Sequence, residues 1–341
     1  VVIPTHNRAA IVERGLRSVL GQSVRPLEVI VIDDASTDDT AARLQPYVGD
    51  LVRLLRAPAR GGGSRARNLG IDAARGDWVA FLDSDDEWRP TKLERQLARV
   101  AAAPDGAALS VVYCRRVMHD HLGGREIPVR SPLREGDVFQ ALLSGWEIST
   151  SQVMVTRAAL RQIGGFDPAL PGSQDYDLWL RLAMAGHRFG GVPEALTVKH
   201  SHLVLQMSGD PSLKERGLAI LERKWRPTIV ERFGERAYAR WVALRRVVIA
   251  HSYLMRVREA VARGQRRQGW RHCRAMFQAG PFPVSFTARA LALVVLGWRR
   301  YRGLARAWQH VQSVAPGRLR GPVGDQPPPT TTTAQQGDVV R

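Results

Sequence analysis

Short apolar runs that end abruptly in polar or acidic residues constrain this chain more than any other feature. Val1–Ile3 stops at Pro4-Thr5-His6-Asn7, Leu27–Ile32 at Asp33-Asp34, and Trp78–Leu82 at Asp83-Ser84-Asp85-Asp86-Glu87. Runs of this length between turn residues read as buried strands. Ile11, Val12, Leu16, Val19 and Leu20 fall on one helical face, and a second helix runs toward Leu44, where Ser36 or Thr37 can cap it. Leu51–Leu55 is a further strand, and a helix with Arg65, Arg67, Asn68, Leu69 and Ile71 follows Gly61-Gly62-Gly63-Ser64. Strand alternating with helix is the pattern of a doubly wound α/β sheet, in which ligands bind beyond the carboxyl ends of the strands. The pattern brings Thr5/His6/Asn7, Asp33/Asp34 and Asp83/Asp85 to one rim.

Asp83, Asp85, Asp86 and Glu87 repel one another, so they stay in water or meet a positive group such as a divalent cation. Taken alone the stretch also reads as a solvated acidic turn capping a helix that starts near Pro90. The glycine triplet has neither dinucleotide-loop spacing after the first strand nor the Lys-Ser/Thr of a phosphate loop. It reads as a flexible loop, with backbone contact to a ligand as the alternative.

Beyond Arg95 the pattern turns antiparallel. Leu109–Tyr113 is a strand, Gly123-Gly124 a turn before Ile127–Val129, and Gln152–Val155 another short strand. Ser173 to Leu182 is a helix with Leu178, Trp179 and Leu182 on its apolar face, stopped at Gly186. Asp175 sits at its N-terminus, where the helix dipole favours an ionised carboxylate; an N-cap is the plain alternative. Asp175 and Asp177 lie about 200° apart around the helix, so only one can face a given pocket. His200 and His202, two positions apart, can supply one metal ligand or be ordinary surface or core residues.

Charge divides the chain. The formal net charge is +18 over 341 residues, yet residues 235–320 hold 18 arginines against only Glu235 and Glu259. The rest is close to neutral, so the basicity belongs to a helical C-terminal region. Within it, Phe286–Trp298 is far shorter than the ~20 apolar residues of a membrane span. With Arg289, Arg299, Arg300 and Arg302 it suits either an amphipathic helix on an anionic membrane or a helical hairpin packed on the rest of the chain. No nucleic-acid recognition motif accompanies the charge. The proline and threonine run after Gln326 reads as a disordered tail. Two cysteines, Cys114 and Cys273, without a C-x-x-C pair, argue against a disulfide scaffold or zinc site and suit a reducing compartment. No signal peptide is expected before Val1, and the missing Met places the natural start slightly upstream.

The ordered set VVIPTHNR, VIVIDDASTDDT, GGGSRARNLGI, WVAFLDSDDEW, GGFD and QDYDLWLRLA resembles family 2 glycosyltransferases of the GT-A fold, over Val1 to about Ser208. The resemblance implies a nucleotide-activated sugar donor, UDP- or dTDP-linked. Pro4 and His6 would line the base pocket, with His6 where the family has Tyr; Asp34 would accept from the base, and Arg67 would sit near the nucleotide. Asp83 would meet the ribose or the metal, and Asp85 would hold Mg²⁺ or Mn²⁺ against the diphosphate. Asp175 matches the catalytic base of an inverting transfer. Gln174 stands where the family usually has Glu. The late family histidine, a metal ligand, is His200 or His202, with His202 preferred. Lacking the Q-x-x-R-W element of processive synthases, the chain should add one sugar or very few.

The expected architecture is an α/β GT-A catalytic domain over 1–210, an Arg-rich helical region over 211–315 and a disordered tail over 316–341. The expected acceptor is a glycan or lipid-linked hydroxyl in cell-envelope synthesis. The expected location is cytoplasmic, peripheral at the inner membrane face, with no specific nucleic acid. A sugar-phosphate nucleotidyltransferase and a non-catalytic membrane- or nucleic-acid-binding protein are the rival readings.

Overall fold

The computed structural model describes residues 1–104, 108–120, 124–200, 210–279, 285 and 287–297. The first half alternates as expected: β1 (Val2–Thr5), α1 (Val12–Leu20), β2 (Val29–Asp33), α2 (Thr40–Leu44), β3 (Val52–Arg56), α3 (Gly62–Ala73) and β4 (Trp78–Ala80). β1, β2 and β3 are parallel neighbours, with Thr5 opposite Asp33. A parallel bridge from Val2 to Phe81, with Leu82 N–H donating to the Val2 carbonyl at 3.0 Å, joins the end of β4 to β1. The polar ends of β1, β2 and β4 therefore share one rim.

The second half is mixed. β5 (Glu87–Trp88), α4 (Lys92–Ala101), β6 (Leu109–Asp120), β7 (Arg125–Pro128), α5 (Phe139–Leu143), β8 (Val153–Thr156), α6 (Arg157–Gln162), α7 (Gln174–Met184) and β9 (Arg188–His200) follow. The sheet runs β4-β8-β6-β9-β5, with β6 and β9 parallel and the other pairs antiparallel. The sequence pattern hides β9, because Gly190, Gly191 and Pro193 look like strand breakers. A bulge absorbs the irregularity: Cys114 pairs with Val192 and Arg115 with Ala195. Gly190 is required by close packing, since a Cβ there would lie 2.5 Å from the Leu109 side chain.

Two expected caps are corrected. The acidic stretch does not cap α4, whose Leu93 N–H donates instead to Gln22 Oε1 at 3.0 Å: Asp86 is fully buried and Glu87 pairs with Arg14 and His200. α2 starts later than expected, its Thr40 hydroxyl bonded to Asp38, while the Ser36 hydroxyl accepts from Asn7 N–H.

The C-terminal region is not detached from this core. α8 (Pro211–Ala262), interrupted at Gly234 (φ 81°), places Leu221, Trp225, Ile229 and Trp241 in the same cluster as Phe81, Phe166 and Trp179. Asp177 locks the contact, accepting from Trp225 Nε1 at 3.0 Å and Lys224 Nζ at 3.0 Å. α9 (Arg266–Gln278) and helical residues 287–297 pack on the later part of α8. Ala290, Leu293 and Val294 are buried with Ile249, Val257, Cys273 and Met276, which is the hairpin packing rather than membrane insertion of that face. Leu291, Val295, Trp270 and Phe277 stay exposed. No helix among the described residues is long and apolar enough to cross a membrane. The arginines from Arg299 onward and the tail lie outside the described residues.

Candidate active site

A cavity of about 480 Å³ opens beyond the strand rim, lined by Pro4, His6, Asp34, Arg67, Asp83, Asp85 and Asp175 among others. Seven of the eight residues singled out from the sequence thus face one space. The eighth, His202, lies outside the described residues. His200 faces away: its Nε2 pairs with Glu87 on β5, while its neighbour Lys199 lines the cavity, as strand alternation dictates.

Each wall has a local cause. The two oxygens of Asp34 accept from the Gly61 and Gly62 amides at 2.7 and 2.8 Å, so the glycine triplet is the anchored N-terminus of α3 and not a flexible loop. Gly62 takes φ 81°, which a side chain would strain. His6 Nδ1 bonds the Asp34 carbonyl at 2.7 Å, tying the ends of β1 and β2. Gly70 lets α3 close onto β1, because a Cβ there would meet Val2 at 2.4 Å. That packing aims Arg67 inward, where it donates to Asp83 Oδ1 at 2.6 Å and to Gln174 Oε1 at 3.3 Å. Gln174, the departure from Glu, keeps the hydrogen bond and drops a charge.

Asp83, Asp85 and Asp86 each offer a carboxylate oxygen within 4.8 Å of the others. Burial pushes Asp83 upward, but Arg67, Lys199 and Arg8 outweigh it and hold it below the usual carboxylate range. Asp85 moves the other way, raised by burial and by the Asp83 charge. Asp86, fully buried, is pushed up to about 8, chiefly by burial. One of its oxygens accepts from the Ser151 hydroxyl at 2.7 Å, and the other has no partner among the described residues. Arg67 pairs with Asp83 and Arg8 lies 3.8 Å from Asp85, yet Asp85 and Asp86 stay raised, so the cluster still favours a further positive group. A hard divalent cation with oxygen ligands fits the donor set.

α7 separates its two acids as the helical angle requires. Asp177 is fully buried in the ion-pair network with Arg181 and Lys224, whereas Asp175 lines the cavity. The N-cap position belongs to Ser173, so Asp175 is not the cap; its Oδ1 accepts from Tyr176 N–H at 2.9 Å. Burial is the largest influence on the Asp175 carboxyl and raises it, Lys199 opposes, and Asp83 adds to the rise. Among the described residues, the non-glycine residues with positive φ are Asn7, Ala35 and Ser173. Asn7 and Ser173 line the cavity and Ala35 directly follows its residue Asp34, as strained backbone gathers at functional sites.

Sequence reasoning missed the far end of the cavity. Arg116 of β6, Glu147, Lys199 of β9, and Lys214 and Arg245 of α8 line it. A usable signal was present: lysine occurs four times among 50 basic residues, at Lys92, Lys199, Lys214 and Lys224. Lys92 is fully buried over the Trp88 ring, Lys224 bridges Asp167 and Asp177, and the remaining two face the cavity.

Comparison with known proteins agrees with this architecture. The family model described as glycosyl transferase family 2 matches residues 1–163. The amylovoran biosynthesis glycosyltransferase AmsB of Erwinia amylovora is 31% identical over 210 residues, 59% of this chain and 68% of that protein. The putative teichuronic acid biosynthesis glycosyltransferase TuaG of Bacillus subtilis is 31% identical over 198 residues, 58% of this chain and 76% of the relative. Among solved structures, S. aureus TarS 1-349 in complex with UDP-GlcNAc aligns with a TM-score of 0.53 at 16% identity, covering 78% of this chain and 86% of TarS. The mannosyltransferase PcManGT from Pyrobaculum calidifontis, in complex with GDP-Man and Mn²⁺, aligns with a TM-score of 0.50 at 21% identity, covering 92% and 83%. These two likenesses are of fold.

Proposed function

Because the chain belongs to glycosyl transferase family 2 and has the GT-A fold, we propose that it moves one sugar from a nucleoside-diphosphate donor to an acceptor hydroxyl with inversion. Family membership removes the nucleotidyltransferase and non-catalytic readings. The observation that carries the proposal is the meeting of Asp34, Arg67, Asp83, Asp85 and Asp175 in one cavity at the strand ends.

In this reading Pro4, His6 and Asp34 hold the base, and Arg67 and Asp83 hold the ribose and the start of the diphosphate. Asp85 and Asp83 would hold Mg²⁺ or Mn²⁺, with His202 as a further ligand. A bound divalent cation supplies charge neutralisation for the departing diphosphate. Asp175 takes the proton of the acceptor hydroxyl as that oxygen bonds to the anomeric carbon. The bond from that carbon to the diphosphate oxygen breaks, its electron pair leaves with the nucleoside diphosphate, and the configuration inverts. That TarS binds UDP-GlcNAc and PcManGT binds GDP-Man supports a nucleotide-sugar donor. The names of AmsB and TuaG support a place in polysaccharide synthesis on a glycan or lipid-linked acceptor.

The chain divides in this reading into a catalytic unit over 1–210 and a helical region beyond it that completes the cavity. Exposed Trp270, Phe277, Leu291 and Val295, set among arginines of α9 and residue 289, support peripheral contact with an anionic membrane at its cytoplasmic face. A transfer assay across nucleotide-sugars, following nucleoside diphosphate release, tests the proposal. Turnover with one donor, lost in Asp175→Asn, is expected; unchanged turnover in that variant removes Asp175 as the base.

A further inference from the structure

Three basic side chains of the cavity, Arg116, Lys214 and Arg245, pair with none of the strand-end acids among the described residues. Arg245 is buried, donates to Glu147 Oε1 at 2.7 Å and lies over the Tyr176 ring at 4.0 Å, but its Nε has no partner among the described residues. Arg116 donates to Gln152 Oε1 at 2.6 Å, and its Nε is likewise without a partner. Among the described residues Lys214 donates only to a hydroxyl, Ser252 Oγ at 2.6 Å, whereas the charge of Lys199 serves the acids, holding down Asp83, Asp85 and Asp175. Burial, and then the Lys199 charge, push the Lys214 ammonium down to about 8, so it is still cationic at neutral pH. Three cations, Arg116, Lys214 and Arg245, therefore share one carboxylate, Glu147, in the same cavity as Asp175.

This arrangement is built into the backbone. A Cβ on Gly217 would lie 2.5 Å from the Gly172 carbonyl oxygen, and one on Gly172 would lie 2.8 Å from the Leu213 carbonyl oxygen. The glycine pair lets the first turn of α8 press against the loop before α7, which delivers Lys214 to the cavity beside Asp175.

We infer that the basic end is the acceptor subsite and that the acceptor carries its own phosphate or diphosphate near the hydroxyl that is glycosylated. This rests on the glycosyltransferase reading of the same cavity. Donor phosphates belong to the acidic rim with its cation and to Arg8, Arg67 and Lys199, leaving Arg116, Lys214 and Arg245 for the second substrate. The excess of two positive charges over Glu147 matches a group bearing two negative charges better than a lone carboxylate. Arginine forks and lysine ammonium groups together are a phosphate-binding set.

The test is calorimetric titration of the full chain in EDTA, where the acidic rim repels phosphates. The probes are a neutral methyl glucoside, glucuronic acid, glucose 1-phosphate and a detergent-dispersed farnesyl-diphosphate-linked glucose. Both phosphate-bearing probes should bind at least tenfold more tightly than the neutral sugar and the uronic acid, and the tighter of the two identifies a soluble or a lipid-linked source. Lys214→Gln and Arg116→Gln should each weaken phosphate binding about tenfold, leave the neutral sugar unchanged and leave nucleotide-sugar binding in Mn²⁺ intact. Equal affinity across the probes, or equal loss of nucleotide-sugar binding in both variants, overturns the inference. Failure of every nucleotide-sugar to bind the unaltered chain tells instead against the glycosyltransferase assignment of the cavity.

Discussion

The two ends of the cavity differ in charge and in how the chain assembles them. The rim end is acidic and stands on consecutive strand ends within the first 86 residues, each acid delivered by the strand before it. The far end is basic and draws Arg116 from β6, Lys199 from β9, and Lys214 and Arg245 from α8. The rim is held by backbone amides and by Arg67, so its shape follows from parallel strand pairing and one helix. The far end depends on two glycines and on the docking of α8. Charges on strand ends can be placed locally, whereas charges drawn from separate strands and a late helix are set by packing between distant segments.

The largest effect expected separates the two aspartates of α7. Asp175→Asn should lower turnover by about 10² to 10⁴-fold while leaving nucleotide-sugar affinity within a few-fold, measured by product release and titration. Asp177→Ala should do the reverse. Removing a fully buried carboxylate leaves Lys224 and Arg181 without their partner, for a loss of about 3 kcal/mol in urea unfolding. Turnover of the folded fraction should change little. If Asp177→Ala silenced transfer without loss of stability, the division of roles on the helix would fail.

Gly217→Ala tests the far end through its backbone. The added Cβ forces α8 away from Gly172, with a loss of about 2 kcal/mol and a higher acceptor KM, while donor binding stays unchanged. Equal weakening of donor and acceptor would show that the ends are not built separately.

pH should sharpen the comparison further. As the proposed base Asp175 works ionised, and burial raises its carboxyl above the ordinary carboxylate range, so activity should fall on acidification through a limb above that range. Lys199 holds the carboxyl down, so Lys199→Gln should move the limb to higher pH; an unmoved limb would remove Lys199 from contact with the base. The smallest effect expected is at the surface. Binding to anionic liposomes should weaken with salt and on deletion of residues 283–320, and binding indifferent to both would dismiss membrane contact.

The sequence carried the rim well because its information is local. Strand runs of four or five residues, each closed by polar residues, locate Asp34, Asp83 and Asp85, and helical geometry alone separates Asp175 from Asp177. It carried the glycine triplet poorly, since glycine spacing does not reveal that Asp34 grips two of its amides. β9 was hidden because its breakers are absorbed by a bulge opposite Cys114 and Arg115. The basic end was hidden for another reason: arginine excess pointed outward to a surface, while the functional charges are few, interior and half of them lysine. Only the docking of Trp225 and Trp241 into the first core shows that α8 belongs to the site.

The central claim is that the acidic strand ends hold a nucleotide-sugar with a divalent cation. Titrating the full chain with UDP- and dTDP-sugars in Mn²⁺ and in EDTA, beside Asp85→Asn, tests it most directly. The account predicts micromolar to millimolar binding of one donor in Mn²⁺ that is lost in EDTA and weakened at least tenfold in the variant. Donor binding that ignores both the metal and the loss of Asp85 would contradict it.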